Sequence, residues 1–229
     1  MIVATWLSAG SIRAQHVDHG NWEARRHALA DLMVRSGIHD SATLAAIRSV
    51  PRHDFVPAHL RQQAYDDAPL PIGHEATISQ PYIVALMTEL VRPRPGMRAL
   101  EIGTGSGYQA AILAATGAAV WTIDIVPELA DSARARLQRL GYRGIEVRAG
   151  DGWLGWPEAA PFDAILVTAA APEIPRPLIE QLAPLGRLVI PVGERDGIQT
   201  LMLVEKNARG EISERRLVPV RFVPLQRRR

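Results

Sequence analysis

Apolar residues recur at two different spacings along this chain, and the change between them divides it. Between residues 21 and 50 the spacing is helical: Trp22, Leu29, Leu32 and Met33 share one face and Gly37 ends the run. Asp40-Ser41 then begins a second helix that runs through Ile47 until Pro51 breaks the pattern. Residues 51–75 are rich in Pro and Asp and poor in periodic apolar positions, so they read as a connecting segment wrapping the surface. A segment of that length without regular structure is more often functional than filler. A further helix is expected over 81–91, with Pro81 at the first position, where a missing N–H does no harm.

After Arg92-Pro93-Arg94-Pro95-Gly96 the texture becomes an alternation of strands and helices. Strands are expected over 98–102, 119–123, 145–149, 164–167 and 187–191, with helices such as 109–115 and 128–140 between them. Such alternation predicts a parallel sheet covered on both faces. Residues 199–205 and 217–225 are also strand-like and flank Asn207-Ala208-Arg209-Gly210, so the sheet is expected to end in an antiparallel hairpin. The predicted fold is α/β and Rossmann-like, with helices at its N-terminal end. One domain is expected over 21–229, made of a helical and connecting part (21–75), a ligand-binding core (76–195) and C-terminal strands (196–229). Residues 1–20 read as an extension.

Composition removes several function classes. With 229 residues and 47% hydrophobic content the chain can bury one sizeable core. Lys+Arg is 26 against Asp+Glu 24, and a net charge of +2 gives no field for steering nucleic acid. Lys206 is the only lysine, and Arg227-Arg228-Arg229, the one basic run, reads as a solvated terminus. The absence of cysteine excludes a disulfide, a thiolate metal site and a Cys nucleophile, and fits a reducing compartment. No stretch has the length of a membrane-spanning helix. The start, MIVATWLSAGSIRAQ, lacks a basic region and a clean small-x-small site, so a cytoplasmic location is expected, with export as the alternative; a monomer or weak associate is expected beside it.

The most specific motif is Glu101-Ile102-Gly103-Thr104-Gly105-Ser106-Gly107-Tyr108, which leaves the first core strand and opens a helix. Glycines there allow a tight turn and leave room for a ligand. A dinucleotide fingerprint wants a further glycine where this chain has Tyr108. The G-x-G-x-G spacing with Glu101 ahead suits S-adenosylmethionine (AdoMet) instead, whose ammonium and sulfonium welcome a carboxylate, whereas a pyrophosphate wants a bare helix N-terminus. Asp124, with Ile125 beside it, ends the second strand about 20 residues on, where an acid can accept ribose hydroxyls. Asp151-Gly152 follows the third strand and could approach an adenine amino group. Each acid has a plainer reading as a strand end, cap or turn residue. Their joint placement favours one ligand rim.

This loop does not choose a methyl acceptor. The fourth strand runs into Val167-Thr168-Ala169-Ala170-Ala171-Pro172 without the Asn/Asp-Pro-Pro-aromatic motif of DNA amino-methyltransferases, and the cysteine required by C5-methylating RNA enzymes is absent. His53, His59 and His74 match no ligand spacing, so no metal is expected.

Taken as a whole, the sequence resembles the protein-L-isoaspartate O-methyltransferases from about Trp22 to Gln226. The likeness rests on VPRHDFVP (50–57), PLPIG (69–73), TISQP (77–81), LEIGTGSGYQ (100–109), VTAAAPEIP (167–175) and VRFVPL (220–225). It implies a class I AdoMet-dependent methyltransferase that acts on isoaspartyl residues of damaged proteins and leads, through methyl ester and succinimide, towards normal aspartate. It also implies that Thr77 and Ile78 lie over the methyl donor and that Ser79 is the active-site serine. Gln80 and Arg221 would serve the substrate and Gln226 the cofactor pocket. The chain departs from the family pattern where Asp124 replaces the commoner Glu. From the residues alone, Ser79 or Gln80 reads equally as the cap of the Pro81 helix, and Arg221 as an ordinary surface arginine. A methyltransferase for another carboxylate or small molecule, or a non-catalytic AdoMet sensor, stays open on the same residues.

Overall fold

The computed structural model describes residues 21–195 and 197–227; the extension read over 1–20 and the end of the arginine run lie outside them. Helix α1 (Trp22–Arg35) starts where the Asn21 side chain accepts from the Ala24 amide at 3.0 Å. Helix α2 (Ser41–Ser49) starts where Asp40 accepts from the Thr43 amide at 2.7 Å. Both caps satisfy amides that an isolated helix end leaves without partners.

The segment expected to be irregular contains regular structure. Two short 3₁₀ turns (Arg52–Asp54 and Ala58–Gln63) lead into a hairpin of β1 (Leu70–Gly73) and β2 (Ala76–Ile78). Its turn residues His74 and Glu75 both have positive φ, 51° and 57°. That is the backbone of a type I′ turn, which Asn-Gly would have announced and His-Glu hides. Helix α3 (Pro81–Leu90) follows.

The rest is built around one sheet. In chain order come β3 (Arg98–Ile102), α4 (Tyr108–Ala115), β4 (Ala119–Asp124), α5 (Pro127–Arg139), β5 (Ile145–Ala149), β6 (Phe162–Val167), α6 (Arg176–Glu180), β7 (Leu182–Val192), β8 (Gln199–Lys206) and β9 (Ile212–Val220). The spatial order is β5-β4-β3-β6-β7-β8-β9, with only the β7–β8 and β8–β9 pairs antiparallel. Period-two alternation sends successive side chains to opposite faces. Ala99, Ala164, Leu166, Val189, Leu201 and Leu203 pack under α3 and α4. Leu100, Ile165, Val167, Leu188, Ile190 and Met202 pack on the other face with α6 and Trp153. A third core joins α1 and α2 to Tyr108, Ala111 and Ile112 of α4, so the N-terminal helices are seated on the sheet's own cover.

The last strand lies five residues earlier than its expected 217–225. Asn207 closes the preceding turn, its Oδ1 accepting from the Arg209 and Glu211 amides, so pairing resumes at Ile212. Residues 211–216 are exposed on the sheet edge and carry no apolar signature. After Val220 the chain leaves β8: the Phe222 amide donates to the Gln199 side chain at 2.9 Å, and the Leu225 amide to Ala170 O at 2.7 Å. Residues 221–226 thus return across the strand ends instead of extending the hairpin.

Candidate active site

β3 lies between β4 and β6, so strand order reverses beside it, the place where open α/β sheets leave a crevice for ligands. The glycine loop leaves β3 at this point. The amides of Gly103 and Thr104 both donate to Ile123 O, at 2.7 and 3.2 Å, folding the loop over the end of β4. Gly103 has φ 99°, and a Cβ there would lie 2.4 Å from Thr168 Oγ1. Only glycine fits between β3 and the residue that follows β6.

Two acids line the cavity beneath this loop, and each has a distinct role in the fold. Asp124 accepts from the Gly105 amide at 2.8 Å and the Val126 amide at 3.0 Å, so it braces the loop from the next strand. Burial raises its pKa while those amides oppose the rise. Glu101 is 1% exposed. Its Oε2 accepts from Thr122 Oγ1 at 2.5 Å, and Thr122 stands 2.7 Å from Thr104 Oγ1, a buried relay from the glycine loop to the acid. Burial pushes the Glu101 pKa to about 8 against the Thr122 hydrogen bond, with the Asp124 charge adding to the rise.

The cavity has a volume of about 320 Å³. Thr77, Ile78, Ser79, Glu101, Gly103, Thr104, Gly105, Asp124, Ile125, Gly152 and Gln226 all line it. Gly107 and Asp151 do not. Gly107 is the N-cap of α4 with φ 84°, and a Cβ there would press on Leu137 of α5 at 3.3 Å, so its visible role is helix packing. Asp151 accepts from the Trp153 amide at 3.0 Å and caps the turn that presents Gly152. Sequence reasoning missed His74 and Glu75 at the hairpin turn, Thr168, Arg195, and Val223 with Leu225, which also line the cavity. Thr122 is a buried hydroxyl in the otherwise apolar run 119–123, and that contrast was a readable signal.

A second cavity, of about 450 Å³, adjoins the first and shares Thr77, Ser79, Thr168 and Val223 with it. Gln80 and Arg221 line this second space and not the first. The exposed Arg221 side chain makes no hydrogen bond or ion pair among the described residues. The remaining walls are largely apolar, with Ile83, Ile198, Pro219 and Phe222.

Ser79 therefore stands in the partition between two cavities. The N-cap of α3 is Gln80, which makes no side-chain capping bond. Asp67, from the preceding loop, serves the helix start instead, accepting from the Tyr82 amide at 2.8 Å and Gln80 Nε2 at 2.9 Å. No hydrogen bond involves the Ser79 hydroxyl among the described residues. Its carbonyl accepts from the buried Arg52 at 2.8 Å. Of the histidines, His53 stacks on Trp22 at 4.5 Å and its Nδ1 lies 2.6 Å from Tyr65 Oη, remote in role from the cavities.

The sheet order, the glycine loop and the acid-lined cavity define a class I AdoMet-dependent methyltransferase. The family model of protein-L-isoaspartate(D-aspartate) O-methyltransferase matches residues 24–229, and the chain belongs to that family. It is 59% identical to protein-L-isoaspartate O-methyltransferase 2 of Polaromonas sp., over 81% of this chain and 88% of that protein. It is 52% identical to protein-L-isoaspartate O-methyltransferase of Opitutus terrae, over 99% and 96%. Among solved structures, one protein-L-isoaspartate O-methyltransferase superposes with TM-score 0.78 at 29% identity, covering 87% of this chain and 65% of that one. A putative Plasmodium falciparum member, solved with S-adenosyl-L-homocysteine, gives 0.75 at 28%, covering 88% and 98%. The chain is accordingly a protein-repair enzyme that moves a methyl group from AdoMet to isoaspartyl residues.

Proposed function

We propose that the first cavity holds AdoMet, that the second receives the isoaspartyl residue, and that Ser79 in their shared wall orients the acceptor carboxylate. The observation that carries this reading is the position of Ser79, which lines both spaces with a hydroxyl that no hydrogen bond engages among the described residues and that Asp67 relieves of capping.

The residues of the first cavity suit that cofactor. Glu101 Oε1 is buried and has no hydrogen-bond partner among the described residues, and such an oxygen is matched by an ammonium or sulfonium. Asp124 keeps lone pairs for ribose hydroxyls beyond the two amides it accepts. Ile123, Ile125, Leu129 and Leu225 with Gly152 offer an apolar slot for a flat base. Thr77, Ile78, Gly103, Thr104, Gly105 and Gln226 close the remaining walls. Gly107 and Asp151 act from outside, by seating α4 and by shaping the turn at Gly152.

When bound, AdoMet supplies a methyl group made electrophilic by its positively charged sulfur. The acceptor carboxylate is ionised at neutral pH, so the protein needs no general base. What remains is alignment and exclusion of water. Ser79 Oγ donates to the acceptor carboxylate, Gln80 and Arg221 hold its peptide, and the apolar rim of Ile83, Ile198 and Phe222 keeps water from the join. The neighbouring backbone nitrogen then attacks the methyl ester and displaces methanol, closing a succinimide without further help, and water opens that ring in part to aspartate.

The same reading makes residues 21–229 one domain, and the enzyme a cytoplasmic monomer acting on proteins rather than nucleic acid. Its support is the cysteine-free, charge-balanced composition. Among the described residues no helix is long and apolar enough to cross a membrane.

Ser79→Ala tests the central role. Methyl transfer per folded molecule should fall at least about tenfold while AdoMet affinity stays within about threefold, the signature of a contact made with the acceptor alone. Normal transfer per folded molecule would remove Ser79 from the acceptor site.

A further inference from the structure

The buried Arg52 has no part in this scheme, yet it is the largest fully buried side chain among the described residues. Among the described residues no carboxylate lies within ion-pairing distance of its guanidinium. A buried unpaired cation is unfavourable, and an apolar side chain of similar volume commonly gives a more stable core. Tyr108, Asp67 and Tyr65 offset part of that burial, and the closest hydrogen bonds of Arg52 are with backbone. Nε donates to Ala64 O at 2.8 Å, and Nη2 to Ser79 O at 2.8 Å, with Ala68 O at 3.4 Å. The guanidinium also lies 4.9 Å from the ring centroid of Tyr108, the first residue of the helix that the glycine loop opens. One side chain thus joins the 64–68 loop, the glycine-loop helix and the serine between the cavities.

The chain order makes this junction consequential. Asp67, which caps α3 through the Tyr82 amide and holds Gln80, sits inside the loop that Arg52 grips at Ala64 and Ala68. The chain at Ser79 is therefore held twice, at the Ser79 carbonyl by Arg52 and just beyond it, at the Gln80 side chain and the Tyr82 amide, by Asp67. Burial lowers the pKa of Arg52 to about 10, so the guanidinium is still charged at neutral pH. A charged donor on a carbonyl makes a stronger, better directed bond than a neutral one.

We propose that Arg52 is a positioning residue for the acceptor: by fixing the Ser79 carbonyl it sets the direction in which the Ser79 hydroxyl points. This rests on the reading of Ser79 as the acceptor-binding serine. Lysine cannot replace it, because one ammonium cannot span the Ala64 and Ser79 carbonyls with the guanidinium's fork.

A double-mutant cycle over Arg52→Lys, Ser79→Ala and the pair tests this, with isoaspartyl-peptide kinetics and AdoMet affinity measured on the folded fraction. Arg52→Lys should lower kcat/KM for the peptide at least about tenfold and leave AdoMet affinity within about threefold. In the Ser79→Ala background the same change should lower kcat/KM by less than about twofold, since residues acting as a unit are not additive. If Arg52→Lys does not fold, Arg52→Met, which also removes the buried charge, takes its place in the cycle. Equal losses from the Arg52 change in both backgrounds would make it a structural residue and overturn the proposal, as would an unimpaired Arg52 variant beside an impaired Ser79→Ala. A normal Ser79→Ala overturns the serine reading itself, and an impaired Arg52 variant beside it shows that Arg52 acts by another route.

Discussion

Thr122 donates its hydroxyl proton to Glu101, with Oγ1 2.5 Å from Oε2, while the other carboxyl oxygen has no partner among the described residues. With its pKa pushed to about 8, Glu101 is mostly protonated in the cofactor-free enzyme at neutral pH. A cationic ligand at Oε1 favours the carboxylate, so binding expels the proton. Calorimetry of AdoMet binding near pH 7 should give enthalpies that depend on the buffer's heat of ionisation, corresponding to release of part of a proton. Glu101→Gln should abolish that dependence and weaken binding. Buffer-independent enthalpies in the native enzyme would contradict this role for Glu101.

The same group sets a direction for stability. Its carboxyl titrates near 4.5 when unfolded and near 8 when folded. Below pH 4.5 both forms are protonated and the contribution is fully present. Between the two values only the unfolded chain ionises, so the contribution is lost as pH rises and levels off above 8. Denaturant unfolding of the cofactor-free protein should show Glu101→Gln gaining on the native enzyme between pH 6 and 8.5, by on the order of a few kcal/mol. Parallel pH profiles for the two proteins would refute it.

Asp124 is expected to serve loop and ligand together. Asp124→Ala should weaken AdoMet by about 1–3 kcal/mol, the scale of hydroxyls left unpaired in a buried site. Asp124→Asn, which keeps an acceptor oxygen for only one of the two amides of Gly105 and Val126, should fall between Ala and the native enzyme. Unchanged affinity in Asp124→Ala, measured by calorimetry, would take Asp124 out of the cofactor site.

Two glycines of one motif should respond differently. Gly103→Ala drives a methyl against Thr168 Oγ1, which lines both cavities and donates to Gly103 O at 2.7 Å, so AdoMet affinity and peptide turnover should both drop. Gly107→Ala presses only on Leu137 and Ala133 of α5. It should lower thermal stability and leave the AdoMet affinity of folded molecules nearly unchanged. Identical behaviour in the two variants would show that the loop acts as one unit.

The core strands and their helices were legible because their apolar residues keep period and sit between recognisable breaks; β3, with Arg98 and Ile102 at its ends, lies where the pattern put it. The edge strand and the β1–β2 hairpin were not. Ser213 to Arg216 form a strand whose side chains face water, and the β1–β2 hairpin turns on His74-Glu75, so neither left an apolar signal. The cavity lining around the glycine loop was readable from one motif and two strand-end acids. What escaped was every support that comes from distant sequence: Asp67 on α3, Arg52 on Ser79, and the returning segment at Val223 and Leu225. Such contacts depend on tertiary placement, which local pattern does not encode.

The most direct test follows labelled methyl from AdoMet into a peptide containing isoaspartate and into its twin containing ordinary aspartate. The enzyme should label the isoaspartyl peptide and leave the twin essentially unlabelled, with Ser79→Ala reducing the first signal. Equal labelling of both peptides, or tight AdoMet binding with labelling of neither, would contradict the account.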